Sequence, residues 1–353
     1  MSTNLSDQQR LEAVVGGGGV VVGIDVGGTK TNATILDADG TFLVDRMVEV
    51  SSCVREGPDA ALVAISSAMR HVLERVDLPW SAVRAVGLDT PGPASATGVI
   101  CGRGATNFPD PAWWGFDFRA AVEQHLRLPV IYNNDGNAAA LYAHKVLFGD
   151  DAQRRSSVSA IVGTGLGGGV IESGRVVRGA SGMAGELGHI QIPLDGLLAT
   201  GQSPPRCGCG LLGDLESVAS LTAIETNLLP YWLSRYPDHP LAGAESLRDA
   251  AMGIRAYGER GDEMALKIFE QQAMAIGRMF AIAANFTDPD AYFVGGGVIE
   301  AAPSFREWFM KTVRANTALR QEQAEVAIFA LVPELDMAGA RGSAIAALEF
   351  LSR

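Results

Sequence analysis

Val158-Ser159-Ala160-Ile161-Val162-Gly163-Thr164-Gly165-Leu166-Gly167-Gly168-Gly169-Val170-Ile171 is the stretch from which the fold can be read. Val158 to Val162 is an apolar, β-branched run closed by glycine, the pattern of a short buried strand. Gly163 to Gly169 reads as its turn. Five of those seven residues are glycine, and glycine costs chain entropy on folding, so a purely structural loop rarely needs so many. A concavity of bare amides suits phosphate oxygens. Val170-Ile171 opens a return strand, Ser173-Gly174 turns it, and Arg175 to Arg178 continues.

The same order stands near the amino terminus. Val20 to Ile24 is a strand, Asp25-Val26-Gly27-Gly28-Thr29-Lys30 a glycine turn, and Thr31 to Leu36 the next strand; Asp39-Gly40 then turns the chain toward Phe42 to Val50. We read a structural duplication, each half offering one hairpin to phosphate. Thr29 and Lys30 add a hydroxyl and a charge, and Asp25 can hold Mg²⁺ through water. The plainer reading of this first turn is a hairpin with no ligand. Between and after the two halves, strands alternate with helices: Leu62, Ile65, Met69, Val72, Leu73 and Val76 keep helical spacing, Val83 to Leu88 is a strand, and Asp262 to Phe286 is the longest helix, capped by Asp262 and stopped by Asp288-Pro289. Glu216 to Leu228 reads as helical, and Leu229 to Ala244, with its prolines, as an irregular excursion. The pattern is α/β in two domains.

Val130-Ile131-Tyr132-Asn133-Asn134-Asp135-Gly136-Asn137 is a short strand that stops in polar residues and runs into a helix at Ala138. Ligands of such sheets collect at the carboxyl ends of strands. Asp135 is therefore a carboxylate that can take a proton from a hydroxyl, or a helix cap. Asp89-Thr90-Pro91-Gly92-Pro93 makes a rigid bend with few backbone donors. Trp113 and Trp114, following Asn107-Phe108-Pro109, fit either sugar stacking or local packing. Glu186 and His189 sit three apart among small residues and can reach ligand hydroxyls. His189, Cys207, Cys209 and Asp214 offer a nitrogen, two sulfurs and an oxygen, a set that Zn²⁺ accepts tetrahedrally; the alternative is two free thiols in a glycine-rich loop. Gly295-Gly296-Gly297 ends a strand from Ala291 to Val294 and leaves room for an adenine or ribose.

The chain has 353 residues, 47% hydrophobic and 19% charged, with net charge −12. That charge argues against nucleic acid and anionic membranes as partners, and no apolar run is long enough to span a bilayer. Residues 1–19 read as a disordered tail without a signal pattern. Four cysteines, two of them in Cys207-Gly208-Cys209, fit a reducing cytoplasm better than a disulfide scaffold.

Asp25 to Lys30, Asp89 to Pro93, Asn134 to Asn137, Gly163 to Gly169, Gly185-Glu186-Leu187-Gly188-His189, Cys207 to Glu216 and Gly295 to Gly297, taken in order, resemble the ROK family of sugar kinases and repressors, part of the actin-like ATPase superfamily. The resemblance implies an α/β, two-domain actin-like (ribonuclease H-like) fold with ATP and a sugar bound in a cleft. The small domain would hold residues 20–133 plus 337–353, and the large domain 134–336. It implies ATP-dependent phosphorylation of a hexose at C6, glucose foremost, with Asp135 as general base; Asn107, Asn134, Glu186, His189 and Glu216 would hold sugar hydroxyls. ATP phosphates would lie on Gly27, Gly28, Thr29, Lys30, Gly163, Thr164 and Gly165, with Asp25 near Mg²⁺ and the adenosine on Gly295 and Gly296. It further implies a homodimer and a zinc motif, though a third cysteine is usual where this chain has Asp214. Rival readings are a kinase of N-acetylmannosamine or N-acetylglucosamine, a polyphosphate-using kinase, and a sugar-sensing regulator without catalysis. The family's DNA-binding helix-turn-helix has no room in the roughly twenty residues before the first strand.

Overall fold

The computed structural model describes residues 18–92, 94–101 and 107–352. The expected tail therefore lies almost wholly outside the described residues, as does Pro93. The chain forms two compact units. The first runs to Val146 and takes in Arg178–Ala184 and the segment from Pro333 onward; the second comprises Leu147–Val177 and Gly185–Val332.

The first unit is built on strands β1 (Val20–Val26), β2 (Lys30–Asp37), β3 (Val48–Ser51), β4 (Val83–Thr90) and β5 (Val130–Asn134), in the order β3-β2-β1-β4-β5. β1 to β3 are antiparallel neighbours, and β4 and β5 join β1 in parallel. β1 and β4 are almost continuously buried, as strands covered on both faces must be. Helix Pro58–Arg75 lays Ala61, Ile65, Ala68, Met69, Val72 and Leu73 on one face, with Pro58 at its first turn, where no amide partner is lost. The opposite face is covered by helix Leu335–Leu351, whose Ala344 and Ala347 pack with Val21, Leu36 and Ala85. Small residues let this helix lie on the strand backbone: a Cβ at Gly87 would stand 1.8 Å from the Ser343 carbonyl oxygen.

The second unit repeats the plan. Strands β6 (Ser157–Val162), β7 (Leu166–Glu172), β8 (Arg175–Val176), β9 (Ala291–Gly296) and β10 (Ile328–Leu331) run in the order β10-β9-β6-β7-β8. Again the first hairpin is antiparallel and the last two strands parallel. Its core is closed by helix Glu263–Thr287, which starts where the Asp262 side chain accepts from the Ala265 amide. The glycine run divides differently from the sequence reading. Only Gly163 to Gly165 form the turn, while Gly167, Gly168 and Gly169 are paired residues of β7, opposite Ile161, Ala160 and Ser159. Phe42 to Val50 is strand only from Val48, and Glu216 to Leu228 is helical only from Leu221, continuing as a π-helical turn at Ile224–Leu228. The excursion after it contains the short helix Leu229–Leu233.

Candidate active site

Three parallel strands of the first unit end in acids. Asp25 and Asp89 are register partners on β1 and β4, and Asp135 follows β5 as the first residue of helix Asp135–Phe148. The two carboxyls lie beside Gly339, where an added Cβ would stand 3.2 Å from Asp89 Oδ1 and 3.3 Å from Asp25 Oδ2. Burial pushes both carboxyls above the ordinary range; the charge of Asp25 and, more weakly, of Asp135 adds to the rise at Asp89, which Ser343 opposes, while Asp89 and then Asn32 oppose the rise at Asp25. Ser343 Oγ donates to Asp89 Oδ2 at 2.7 Å, and Asn32 Nδ2 donates to Asp25 Oδ2 at 3.3 Å. Asp89 Oδ1 is buried without a partner.

Asn134 and Asp135 both serve the helix start: the Gly136 amide donates to Asn134 Oδ1 at 2.9 Å and to Asp135 Oδ1 at 2.7 Å. The cap reading of Asp135 is thus realised in part, and it is compatible with the other one. A helix amino terminus favours negative charge, and an ionised carboxylate is what a base requires. One residue that the sequence did not single out stands here: Arg178 Nη2 donates to Asn133 Oδ1 at 2.7 Å. Its distance of 45 positions along the chain hides it from any local pattern.

The first glycine turn is closed by the Gly27 amide donating to Lys30 O at 2.8 Å. Gly28 faces Asn107, whose Oδ1 would lie 2.8 Å from an added Cβ. Lys30, expected at phosphate, is ion-paired with Glu49 at 2.8 Å on the neighbouring strand. Trp113 is fully buried against Phe108, Phe116 and Phe118, and its Nε1 donates to Val54 O, so its role is packing; Trp114 is exposed.

In the second unit the Gly163 amide closes its own turn on Gly165 O at 2.8 Å. The turn is pinned from outside: the Leu221 amide donates to Gly163 O, and Thr222 donates to Thr164 O through both its amide and its hydroxyl. Glu216 braces the next residue, Oε2 accepting from the Leu166 amide at 2.8 Å and Oε1 from Cys207 Sγ at 3.5 Å. Gly295 and Gly296 end β9 inside the sheet. Gly296 has φ +100°, and a Cβ there would stand 1.8 Å from Val162 O, so strand packing alone demands glycine. Glu186 is raised above the ordinary carboxylate range by burial, with Glu216 adding to this and His189 opposing it.

His189 Nδ1, Cys207 Sγ, Cys209 Sγ and an Asp214 oxygen all lie within 4.8 Å of one another. Nδ1 is 3.3 Å from Asp214 Oδ2 and 3.9 Å from Cys207 Sγ, and Cys209 Sγ is 3.4 Å from Asp214 Oδ2. Zinc bonds of about 2.0 to 2.3 Å in a tetrahedron require donor separations of this size. The donors therefore fit a zinc ion. Asp214 is fully buried, and its other oxygen caps the Ser217 amide at 2.9 Å. Burial, and secondarily Asp214 and Cys209, push the Cys207 thiol up, against one backbone amide, so metal uptake there would release a proton.

Two mixed sheets of identical strand order, each with a glycine-bearing hairpin, define an internally duplicated α/β protein. The chain belongs to the ROK family, whose model matches residues 21–349. It is 32% identical over 290 residues to a glucokinase of Streptomyces coelicolor, covering 79% of this chain and 82% of that one. It is 31% identical over 284 residues to an N-acetyl-D-glucosamine kinase of Citrobacter koseri, covering 78% and 83%. A ROK family glucokinase from Streptomyces griseus, solved in complex with glucose and AMPPNP, superposes with a TM-score of 0.69 at 28% identity, over 94% of this chain and 100% of that one. The fold is thus the actin-like ATPase fold of its ROK neighbours. Among the described residues no helix is long and apolar enough to cross a membrane.

Proposed function

We propose that this chain transfers the γ-phosphoryl group of ATP to the C6 hydroxyl of glucose, with Asp135 as general base. The chain is a sugar kinase; the particular sugar and the residue roles are our reading. The observation that carries it is the position of Asp135, at the carboxyl end of β5 and the amino end of a helix. The hydroxyl gives its proton to Asp135, its oxygen attacks the γ-phosphorus, and ADP leaves. Asn107, Asn134, Glu186, His189 and Glu216 orient the sugar; His189 offers Nε2 for this, since its Nδ1 faces Cys207 and Asp214. Because Gly27 and Gly163 close their own turns, the phosphates are assigned to Gly28, Thr29, Thr164 and Gly165, with Lys30 beside them and adenosine near Gly295 and Gly296.

Asp25 would hold Mg²⁺, which would supply positive charge to the phosphates. Zinc would be held by His189, Cys207, Cys209 and Asp214, tying the Cys207 loop to the segment that carries Glu186. Four unpaired cysteines fit a cytoplasmic protein, and a homodimer completes the reading, to be checked by light scattering.

The test is ADP release, coupled to a reporter enzyme, across glucose, mannose, fructose, N-acetylglucosamine and N-acetylmannosamine. Glucose should give the highest kcat/KM. The likeness to the N-acetyl-D-glucosamine kinase makes preference for an N-acetylated sugar the second reading, and ADP release from none of the five would sink both.

A further inference from the structure

Segment Arg178–Ala184 leaves the second unit's hairpin and packs with the first unit. It is fastened there by the Ala96 amide, which donates to Ser181 O at 3.3 Å, and it closes on itself through the Ala184 amide and Arg178 O at 3.2 Å. Its first residue is the cation on Asn133. Arg178 as a residue is exposed, whereas Asn133 is 4% exposed. A guanidinium only donates, so it dictates which end of the Asn133 amide faces it. Asn133 Nδ2 is turned inward and is buried without a partner, an orientation that costs free energy and would not persist unless the outward oxygen were held.

Asn133 is two residues before Asp135 and opposite Asp89 in the sheet register. Asp25, Asp89 and the buried phenol of Tyr132 surround this strand end; Tyr132 Oη is 2.7 Å from Thr90 Oγ1, and burial pushes the phenol up. Acids crowded at a strand end repel one another.

We propose that Arg178 is a positioning residue for phosphoryl transfer: by gripping Asn133 it fixes the end of β5 on which Asn134 and Asp135 are presented to the sugar. This rests on Asp135 being the base. Arg178 touches neither sugar nor phosphate in this role, so its effect is on the alignment of the attacking oxygen, and misplacement of that kind costs rate more than binding.

Full-length Arg178→Ala, Arg178→Lys and Asp135→Asn are compared with the parent by coupled ADP release with glucose and by calorimetric melting. For Arg178→Ala we expect kcat lower by about 10- to 100-fold, a glucose KM within about threefold of the parent, an unchanged melting temperature and partial restoration of kcat by added guanidinium. Arg178→Lys, which keeps the charge but not the planar fork of donors, should fall between. Parental kcat in Arg178→Ala while Asp135→Asn is inactive overturns the role of Arg178 and leaves the base intact. A loss confined to KM, or one that tracks a lowered melting temperature and ignores guanidinium, overturns it as well. Parental kcat in Asp135→Asn is a separate result and removes the base assignment itself.

Discussion

Asp25 and Asp89 stand opposite one another across the parallel pair β1 and β4, with Asp89 wholly buried and anchored by Ser343. Two acids so placed cannot both ionise cheaply. Their folded-state values are raised, so the sign of the linkage is set: below the ordinary value of 3.8 folded and unfolded chains both keep these protons. As pH rises past it the unfolded chain releases them first, and stability falls until the folded values are passed. Asp89→Asn removes one ionisation and can still accept from Ser343 and donate to Asp25. We expect it to melt above the parent at pH 8, by about 2 to 6 °C, with the gap closing toward pH 4. Calorimetric melts across that range check it; a constant gap would refute the raised carboxyls as its cause.

Asp135→Asn keeps the bond to the Gly136 amide, because an amide oxygen can replace the carboxylate oxygen. Folding and glucose affinity should therefore survive while kcat falls by about 10²- to 10⁴-fold. Titration calorimetry for binding and single-turnover quench for chemistry separate the two quantities.

Glu216 is the brace under the second hairpin, so its loss should be felt at a distance. Glu216→Ala frees the Leu166 amide that it now accepts from. The KM for ATP should rise along with that for the sugar, each by about tenfold, whereas Glu216→Gln, which retains an acceptor, should leave the ATP value near the parent. Steady-state kinetics with each substrate varied in turn decides this.

Asp214→Cys would complete a set of one histidine and three cysteines. It should bind zinc at least about tenfold more tightly than the parent, measured by competition with a chromophoric chelator on protein purified without a metal-affinity tag. Stripped of metal, the same variant should be less stable by about 1 kcal/mol, since the Ser217 amide loses its buried cap.

Gly87→Ala sets a Cβ against the Ser343 carbonyl at 1.8 Å. Helix Leu335–Leu351 must shift off the sheet, at a cost of about 1 to 3 kcal/mol, visible as a lower urea midpoint.

Local rules carried the sequence reading where the deciding residues were neighbours. Helix Glu263–Thr287 was legible from its Asp262 cap and the Asp288-Pro289 stop, and the repeated strand, glycine turn and strand announced two sheets of one plan. They fell short where a distant partner decides. Nothing near Gly167 to Gly169 says that Ser157 to Ile161 lie alongside and draw these glycines into β7. Lys30 reads from the sequence as a charge beside a glycine turn, and its ion pair with Glu49 on the next strand is not visible there. The Asn133 amide has a cation on it only because a segment 45 residues later folds back. Periodicity gave the strands, helices and duplication, and the family resemblance the actin-like fold; the finer wiring of the site depends on contacts between segments that no spacing encodes.

The face of the first sheet formed by Val21, Leu36 and Ala85 is covered by Ala344 and Ala347 of a helix that the ribosome makes after every strand of both units. At roughly 5 to 20 residues per second, the second unit has its whole strand set before that cover emerges. A nascent chain halted short of Pro333 would thus display a greasy strip ready for a chaperone, and a sheet made early is finished late.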